Sequence, residues 1–167
     1  MTRASRMAAL ATVAYLAVIA VLTIGPAPWR TGPVESDYDV LSLSTWIDPG
    51  TWSGGAAREF GANILLFVPL GMLLRWTFPR ATWVGAAALG GAISFVIEVV
   101  QMWSPRVSDP RDILANTTGA LVGALIAAIV TGIRRIARAA RDPAPSTTRE
   151  AVSRAVGGSR GVRAPRG

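Results

Sequence analysis

The sequence lacks both cysteine and histidine. Without cysteine, the chain can form no disulfide, no thiolate nucleophile and no cysteine-ligated metal site. Without histidine, it can form neither a histidine-based catalytic triad nor an HExxH zinc site. Any acid–base chemistry must therefore use carboxylates, tyrosine or water, and the sequence predicts no metal and no cofactor.

Lysine is also missing, so all seventeen basic residues are arginines, and the 167-residue chain has a formal net charge of +7. Nine of the arginines follow residue 133. No recognition helix, zinc finger or RNA-binding motif accompanies them, so we expect no nucleic-acid partner. Arginines beside a membrane span are instead typical of orientation signals and of contacts with anionic lipid. We therefore expect the basic C-terminal tail to contact anionic lipid.

Charged residues are scarce: 16% of the residues are charged and 51% are hydrophobic. The apolar residues are collected in four runs, and about 20 apolar residues form a helix that crosses the hydrocarbon core. The sequence therefore predicts an all-α fold, a four-span transmembrane helical bundle. The first run is too long for the apolar centre of a signal peptide, so we expect it to be kept as a span. The predicted spans are about 7–27, 60–76, 81–103 and 113–133.

The bundle is predicted to occupy residues 1–135, and residues 136–167 are predicted to form a disordered, arginine-rich tail, because they lack apolar periodicity.

Arginines near the start, between the second and third spans, and in the tail all fall on one side of the membrane, whereas the 28–59 segment is acidic. The positive-inside rule then places both termini in the cytoplasm of a multi-pass protein of the cell membrane. The tryptophans Trp29, Trp46 and Trp52 indicate that the 28–59 segment lies on the outer surface of the cell membrane.

One carboxylate interrupts the third span: Glu98 lies in the otherwise apolar stretch AAALGGAISFVIEVVQMW. A charged side chain in a membrane helix is costly unless it faces a protected polar interior. Ser94 and Gln101 share the helix face of Glu98, because they are four residues before it and three after it. The spacing therefore predicts a polar face directed into the bundle.

Polar residues of two other spans are predicted at the same depth as Glu98, in the outer leaflet. Asn63 lies about one turn inside the second span, and Asn116 lies one turn after Asp112 in the fourth. We therefore predict one shared polar site. Two alternatives stay open. In one, Asp112 serves only as a helix N-cap; in the other, the two asparagines only form hydrogen bonds between helices. Arg106 and Arg111 are either counter-ions of Glu98 or contacts for an anionic headgroup.

Three blocks of this sequence resemble the VanZ-like family of small integral membrane proteins. Residues 63–71 (NILLFVPLG) resemble its asparagine–phenylalanine–proline–glycine motif, and residues 94–101 (SFVIEVVQ) resemble its ExxQ helix. Residues 106–119 (RVSDPRDILANTTG) resemble its final arginine–aspartate–asparagine–glycine block, although Pro110-Arg111 departs from the apolar residues expected there. The resemblance implies a membrane protein of the cell envelope, with some members linked to glycopeptide (teicoplanin-type) antibiotic resistance, and it supplies no established reaction.

The favoured hypothesis is a protein whose outer-leaflet site binds or modulates a lipid or cell-envelope component. The partner is then a membrane lipid or a lipid-linked headgroup, and a homo-oligomer is left open. An alternative is an intramembrane enzyme acting on a lipid-linked substrate, with Glu98 as general base; a proton-coupled carrier ranks lowest, because four spans without a repeat are few for alternating access. Whether the protein is an enzyme stays open. The candidate catalytic residues are Glu98 and Asp112, and the candidate binding residues are Asn63, Gln101, Arg106, Asp109, Arg111 and Asn116.

Overall fold

All regular structure in the described part of the chain is α-helical. The computed structural model describes residues 2–25, 39–53, 57–103 and 108–141. The helices are α1 (Arg3–Ile24), α2 (Leu43–Ile47), α3 (Pro49–Ser53), α4 (Ala57–Thr77), α5 (Trp83–Gln101) and α6 (Pro110–Arg141).

Four of these helices, α1, α4, α5 and α6, are long and apolar enough to cross a membrane. They contain 22, 21, 19 and 32 residues, whereas about 20 residues suffice to cross the hydrocarbon core. The predicted all-α, four-span fold is therefore confirmed, and the chain is a multi-pass membrane protein.

The chain divides into two compact units, residues 1–131 and residues 132–167. Of the second unit, residues 132–141 are described, and they are helical. The regular helix therefore continues past residue 135, where the sequence predicted the tail to begin. The rest of the predicted tail, residues 142–167, lies outside the described residues.

Threonine side chains fix the start of two spans. The Thr2 hydroxyl accepts a hydrogen bond from the backbone N–H of Ser5 at 3.1 Å, and the Thr82 hydroxyl accepts one from Gly85 at 3.0 Å. The first N–H groups of a helix have no intrahelical partner, and a threonine in the N-cap position supplies one. Helices α1 and α5 therefore begin where these caps stand.

Helix α1 runs antiparallel to α4 and parallel to α5. Near the start of α1 and the end of α4, the hydroxyls of Thr12 and Thr77 are hydrogen-bonded at 2.9 Å. One turn along, the Tyr15 hydroxyl donates to the carbonyl of Leu66 at 2.9 Å. At the other end of α1, the side-chain amide of Gln101 donates to the carbonyl of Thr23 at 2.8 Å. Helices α1 and α5 therefore end at the same level.

Helices α4 and α6 run parallel and approach each other at two glycines of α6. A Cβ atom added at Gly119 would collide with the carbonyl oxygen of Ile64, and one added at Gly123 would collide with that of Val68. Small residues allow this approach, because membrane helices associate largely through close packing rather than through a hydrophobic driving force. The seam formed by Gly119 and Gly123, four residues apart on α6, is thus the packing surface between α6 and α4.

Part of the segment between α1 and α4 is described, from residue 39 to residue 53. The Trp46 indole N–H donates to the carbonyl of Val40 at 2.9 Å, and the Trp52 indole N–H donates to the carbonyl of Trp46 at 3.2 Å. Leu43 and Ile47 remain 73% and 71% exposed. Exposed apolar side chains beside tryptophans are typical of a segment at the membrane–water interface. Trp29 lies outside the described residues.

Candidate functional site

The Glu98 carboxylate is enclosed by protein near the end of α5. Its side chain is 1% exposed, and its Oε2 accepts a hydrogen bond from the backbone N–H of Asp109 at 2.8 Å. Asp109 directly precedes α6, so this bond joins the end of α5 to the start of α6. A buried carboxylate is tolerated only where such donors replace water.

The start of α6 is built around Asp109 rather than Asp112. Oδ1 of Asp109 accepts a hydrogen bond from the backbone N–H of Arg111 at 2.9 Å, which is the bond that an N-cap side chain makes. Pro110 then occupies the first helical position, where its missing N–H is not needed. The alternative that Asp112 is this N-cap is therefore wrong, and its carboxylate lies in the first turn of α6 instead.

Arg111 turns back onto the same cap. Its Nε lies 2.9 Å from Oδ2 of Asp109, and its Nη2 lies 2.5 Å from that oxygen. This fork orients the guanidinium toward Asp109, with both side chains mostly shielded from solvent. This contact gives a structural role to Arg111, which departs from the apolar residue expected there in the VanZ-like motif. Arg106 lies outside the described residues, so its pairing with Glu98 stays a prediction.

Asn63 and Asp112 connect α4 to α6 at the same level. The Asn63 side chain is hydrogen-bonded to the Asp112 carboxylate. Both side chains are partly exposed, so they form the rim of the site rather than its floor. The ends of α1 and α5 and the starts of α4 and α6 thus meet at one end of the bundle, which we call the polar end.

Asn116 and Ser94 form the floor of the site, one turn deeper than Asp112 and Glu98. Nδ2 of Asn116 donates to the Ser94 hydroxyl at 2.8 Å, in a fully buried bond between α6 and α5. Within the described ranges, Oδ1 of Asn116 is buried and has no hydrogen-bond partner. A buried carbonyl oxygen without a partner is costly, so this atom marks a place where a ligand or water can donate.

Ser108 is a member of the site that the sequence did not single out. Its side chain is 0% exposed, and it lies beside the Glu98 carboxylate. Among the residues that the structure describes, its hydroxyl makes no hydrogen bond of regular geometry. The only signal in the sequence is its position directly before the Asp-Pro pair that starts α6.

Gln101 contacts α1. Its amide donates to the Thr23 carbonyl, one of the last carbonyls of α1, which have no intrahelical donor. The i, i+3 spacing from Glu98 places both residues on one face, but it does not fix where a side chain of this length ends. A ligand contact by Gln101 stays a prediction.

The described polar end carries more negative than positive charge. Asp109 and Asp112 lie close enough to Glu98 for their charges to repel, and Glu59 lies close to Asp112. Arg111 offsets part of this charge through its fork with Asp109. In the described part of the chain, no three acidic side chains are arranged to hold a metal ion. The site therefore offers mainly hydrogen-bond acceptors.

Comparison with known proteins identifies the family. The model of the VanZ/LLP1 family matches residues 12–131, which include more than half of each of the four apolar helices and every residue of the polar end. The chain belongs to the VanZ/LLP1 family. It is 27% identical over 93 residues to a protein of Enterococcus faecium named Protein VanZ, and this match covers 52% of the present chain and 57% of that protein. No solved structure matches significantly. The resemblance noted in the sequence is confirmed.

Proposed function

We propose that this VanZ/LLP1-family protein binds the headgroup of a membrane lipid or lipid-linked cell-envelope component at its polar end. The observation that carries the proposal is Glu98, a carboxylate that is 1% exposed in a membrane span. Stability alone does not favour such a residue, because taking a carboxylate out of water carries a large desolvation penalty. A ligand-binding role accounts for its presence in this span.

The acceptor-rich lining favours a ligand that donates hydrogen bonds, such as the hydroxyls of a sugar or an ammonium group. Glu98 and Asp112 supply carboxylate oxygens, and Oδ1 of Asn116 faces no donor among the described residues. Arg111 forks onto Asp109, and this engagement argues against Arg111 as the main contact of a phosphate. The structure therefore shifts our expectation from a phosphate contact by Arg111 toward the hydroxyl or amine part of the headgroup.

Lipid mass spectrometry tests the proposal. The wild-type protein, purified in mild detergent, is expected to retain one lipid class, and Glu98→Gln is expected to lose it. A hydrogen bond to a charged group contributes about 1.5–3 kcal/mol, so the affinity should fall roughly 10- to 100-fold.

The matched control is Asp48→Asn, which removes an exposed carboxylate outside the spans and should leave the retained lipid unchanged. Equal retention of the same lipid by wild type and Glu98→Gln would contradict binding at this site.

The polar end is proposed to face the outside of the cell, with both termini in the cytoplasm. Most arginines outside the spans lie in the segments at the other end of the bundle, which the positive-inside rule places in the cytoplasm. The chain has no cysteine, so single cysteines report topology directly. In intact cells, a membrane-impermeant thiol reagent should label Ser42→Cys and leave Ser146→Cys unlabelled. Labelling of Ser146→Cys would overturn the orientation. An outward-facing site that holds an envelope precursor would also connect this protein with the response to glycopeptide antibiotics.

A second candidate function, an intramembrane enzyme, is favoured by the position of Ser108 beside Glu98. A general base that comes within hydrogen-bond reach of a hydroxyl can take its proton and activate it as a nucleophile. Ser108→Ala separates the two functions. If the protein only binds, this variant retains most of the lipid and the lipid composition of the cells is unchanged. If it is an enzyme, the variant binds the lipid but no longer changes the composition of the membrane.

A further inference from the structure

The last ten residues of α6 form a segment of different character from the rest of the helix. Helix α6 has 32 residues, about 48 Å at roughly 1.5 Å per residue, whereas the hydrocarbon core is about 30 Å thick. Its final part, residues 132–141, therefore has more length than the core requires. Arginines occur here at four of ten positions, which also argues against a place in the core.

Residues 132–141 are amphipathic. At about 100° per residue, Ile133, Ile136, Ala137 and Ala140 fall within roughly a third of the helix circumference. Arg134, Arg138 and Arg141 project from another face. Ile133 and Ile136 are 61% and 73% exposed, so nothing in the described structure covers the apolar stripe.

We infer that residues 132–141, which we call the basic extension, bind the surface of an anionic lipid bilayer. The occupant is argued from two features: the positive charge complements anionic headgroups, and the extension follows a membrane span without a break in the helix, so a bilayer surface is always adjacent. An apolar stripe beside arginines is the pattern of helices that lie in the membrane interface. This inference goes beyond the proposed headgroup site and does not depend on it.

Gly132 is the position at which this placement would let the helix bend. An extension continuing straight into water would leave Ile133 and Ile136 exposed, whereas a turn at Gly132 brings the stripe onto the bilayer. A Cβ added at Gly132 would meet no atom within 4 Å, so packing does not hold this position straight. Glycine in a helix interior lowers the resistance to bending.

The test uses the full chain in vesicles, with a single cysteine at Ala137 carrying an environment-sensitive fluorophore. Vesicles of phosphatidylcholine alone are compared with vesicles that also contain phosphatidylglycerol, and brominated acyl chains report contact with the bilayer. We expect a blue shift and quenching with phosphatidylglycerol, both lost at about 1 M NaCl, where charges are screened beyond roughly 3 Å.

Two variants with the same change in charge give the matched comparison. Replacing the arginines at 134, 135, 138 and 141 by glutamine should abolish the blue shift, whereas replacing those at 149, 154, 160 and 163 should leave most of it. Two outcomes would overturn the inference: no shift in any vesicle, or a shift that is independent of phosphatidylglycerol and rises with protein density, which would show a second copy of the chain as the occupant.

Discussion

Helix α6 makes two very different contacts within residues 1–131. Against α4 it packs glycine onto backbone, with Gly119 and Gly123 at the carbonyls of Ile64 and Val68. Against the last part of α5, near the polar end, it places polar groups together, including the buried bond between Asn116 and Ser94. The first contact leaves no room for a ligand or a larger side chain, whereas the second leaves hydrogen-bonding capacity unused.

The difference separates stability from function. Close packing of small residues is the main source of association between membrane helices, whereas single interhelical hydrogen bonds contribute on average about 0.6 kcal/mol. The α4–α6 contact therefore explains how these two helices are held together. Helix α5 also packs closely on α6 in its deeper part, where a Cβ added at Gly90 would collide with that of Ala120. The polar end of this contact, with Glu98, is not explained by such packing and is where we place the ligand.

The largest effect is expected from Gly123→Ala. The added Cβ would collide with the carbonyl oxygen of Val68 and lie 2.9 Å from its carbonyl carbon, so α4 and α6 must separate. We expect the free energy of unfolding, measured in detergent, to fall by about 3 kcal/mol or more, comparable to severe overpacking of a core.

The matched control is Gly61→Ala, where the added Cβ meets nothing within 4 Å. Replacing a helix glycine there should raise the free energy of unfolding by up to about 1 kcal/mol. Equal effects would show that the seam is not tightly packed.

A smaller effect is expected from Gln101→Leu. This change removes the donor to the Thr23 carbonyl and leaves that carbonyl, at the end of α1, without this partner. The cost should be about 1 kcal/mol, seen as faster hydrogen exchange in the last turn of α1. Lipid retention should change only if Gln101 also contacts the ligand. Loss of the lipid at unchanged stability would place Gln101 in the site after all.

The smallest effect is expected from Tyr15→Phe. The Tyr15 hydroxyl donates to the carbonyl of Leu66, which lies inside α4 and also has an intrahelical donor available. Removing the hydroxyl should therefore cost about 0.6 kcal/mol or less and leave lipid retention unchanged. A loss of stability as large as that of Gly123→Ala would mean that polar contacts stabilise the bundle as much as packing does.

The sequence was sufficient for the number of spans, because length and apolarity alone decide whether a helix can cross a membrane. It also predicted that Glu98, Asp112 and Asn63 lie near one end of the bundle, since depth follows from position within a span. It did not predict the cap at Asp109, the direction of Gln101 or the burial of Ser108. These depend on the rotation of each helix about its axis and on the path into α6, which spacing along one chain does not fix.

The most direct test of the account is the unfolding stability of Glu98→Gln measured beside that of Gly123→Ala. The amide keeps the shape of the side chain and can still accept from the Asp109 N–H, while the repulsion from Asp109 and Asp112 is removed. If Glu98 serves to bind a ligand rather than to stabilise the fold, the Glu98→Gln variant should unfold at the wild-type temperature or above it and should lose the lipid. Destabilisation as large as that of Gly123→Ala would show Glu98 to be a structural residue and would contradict the account.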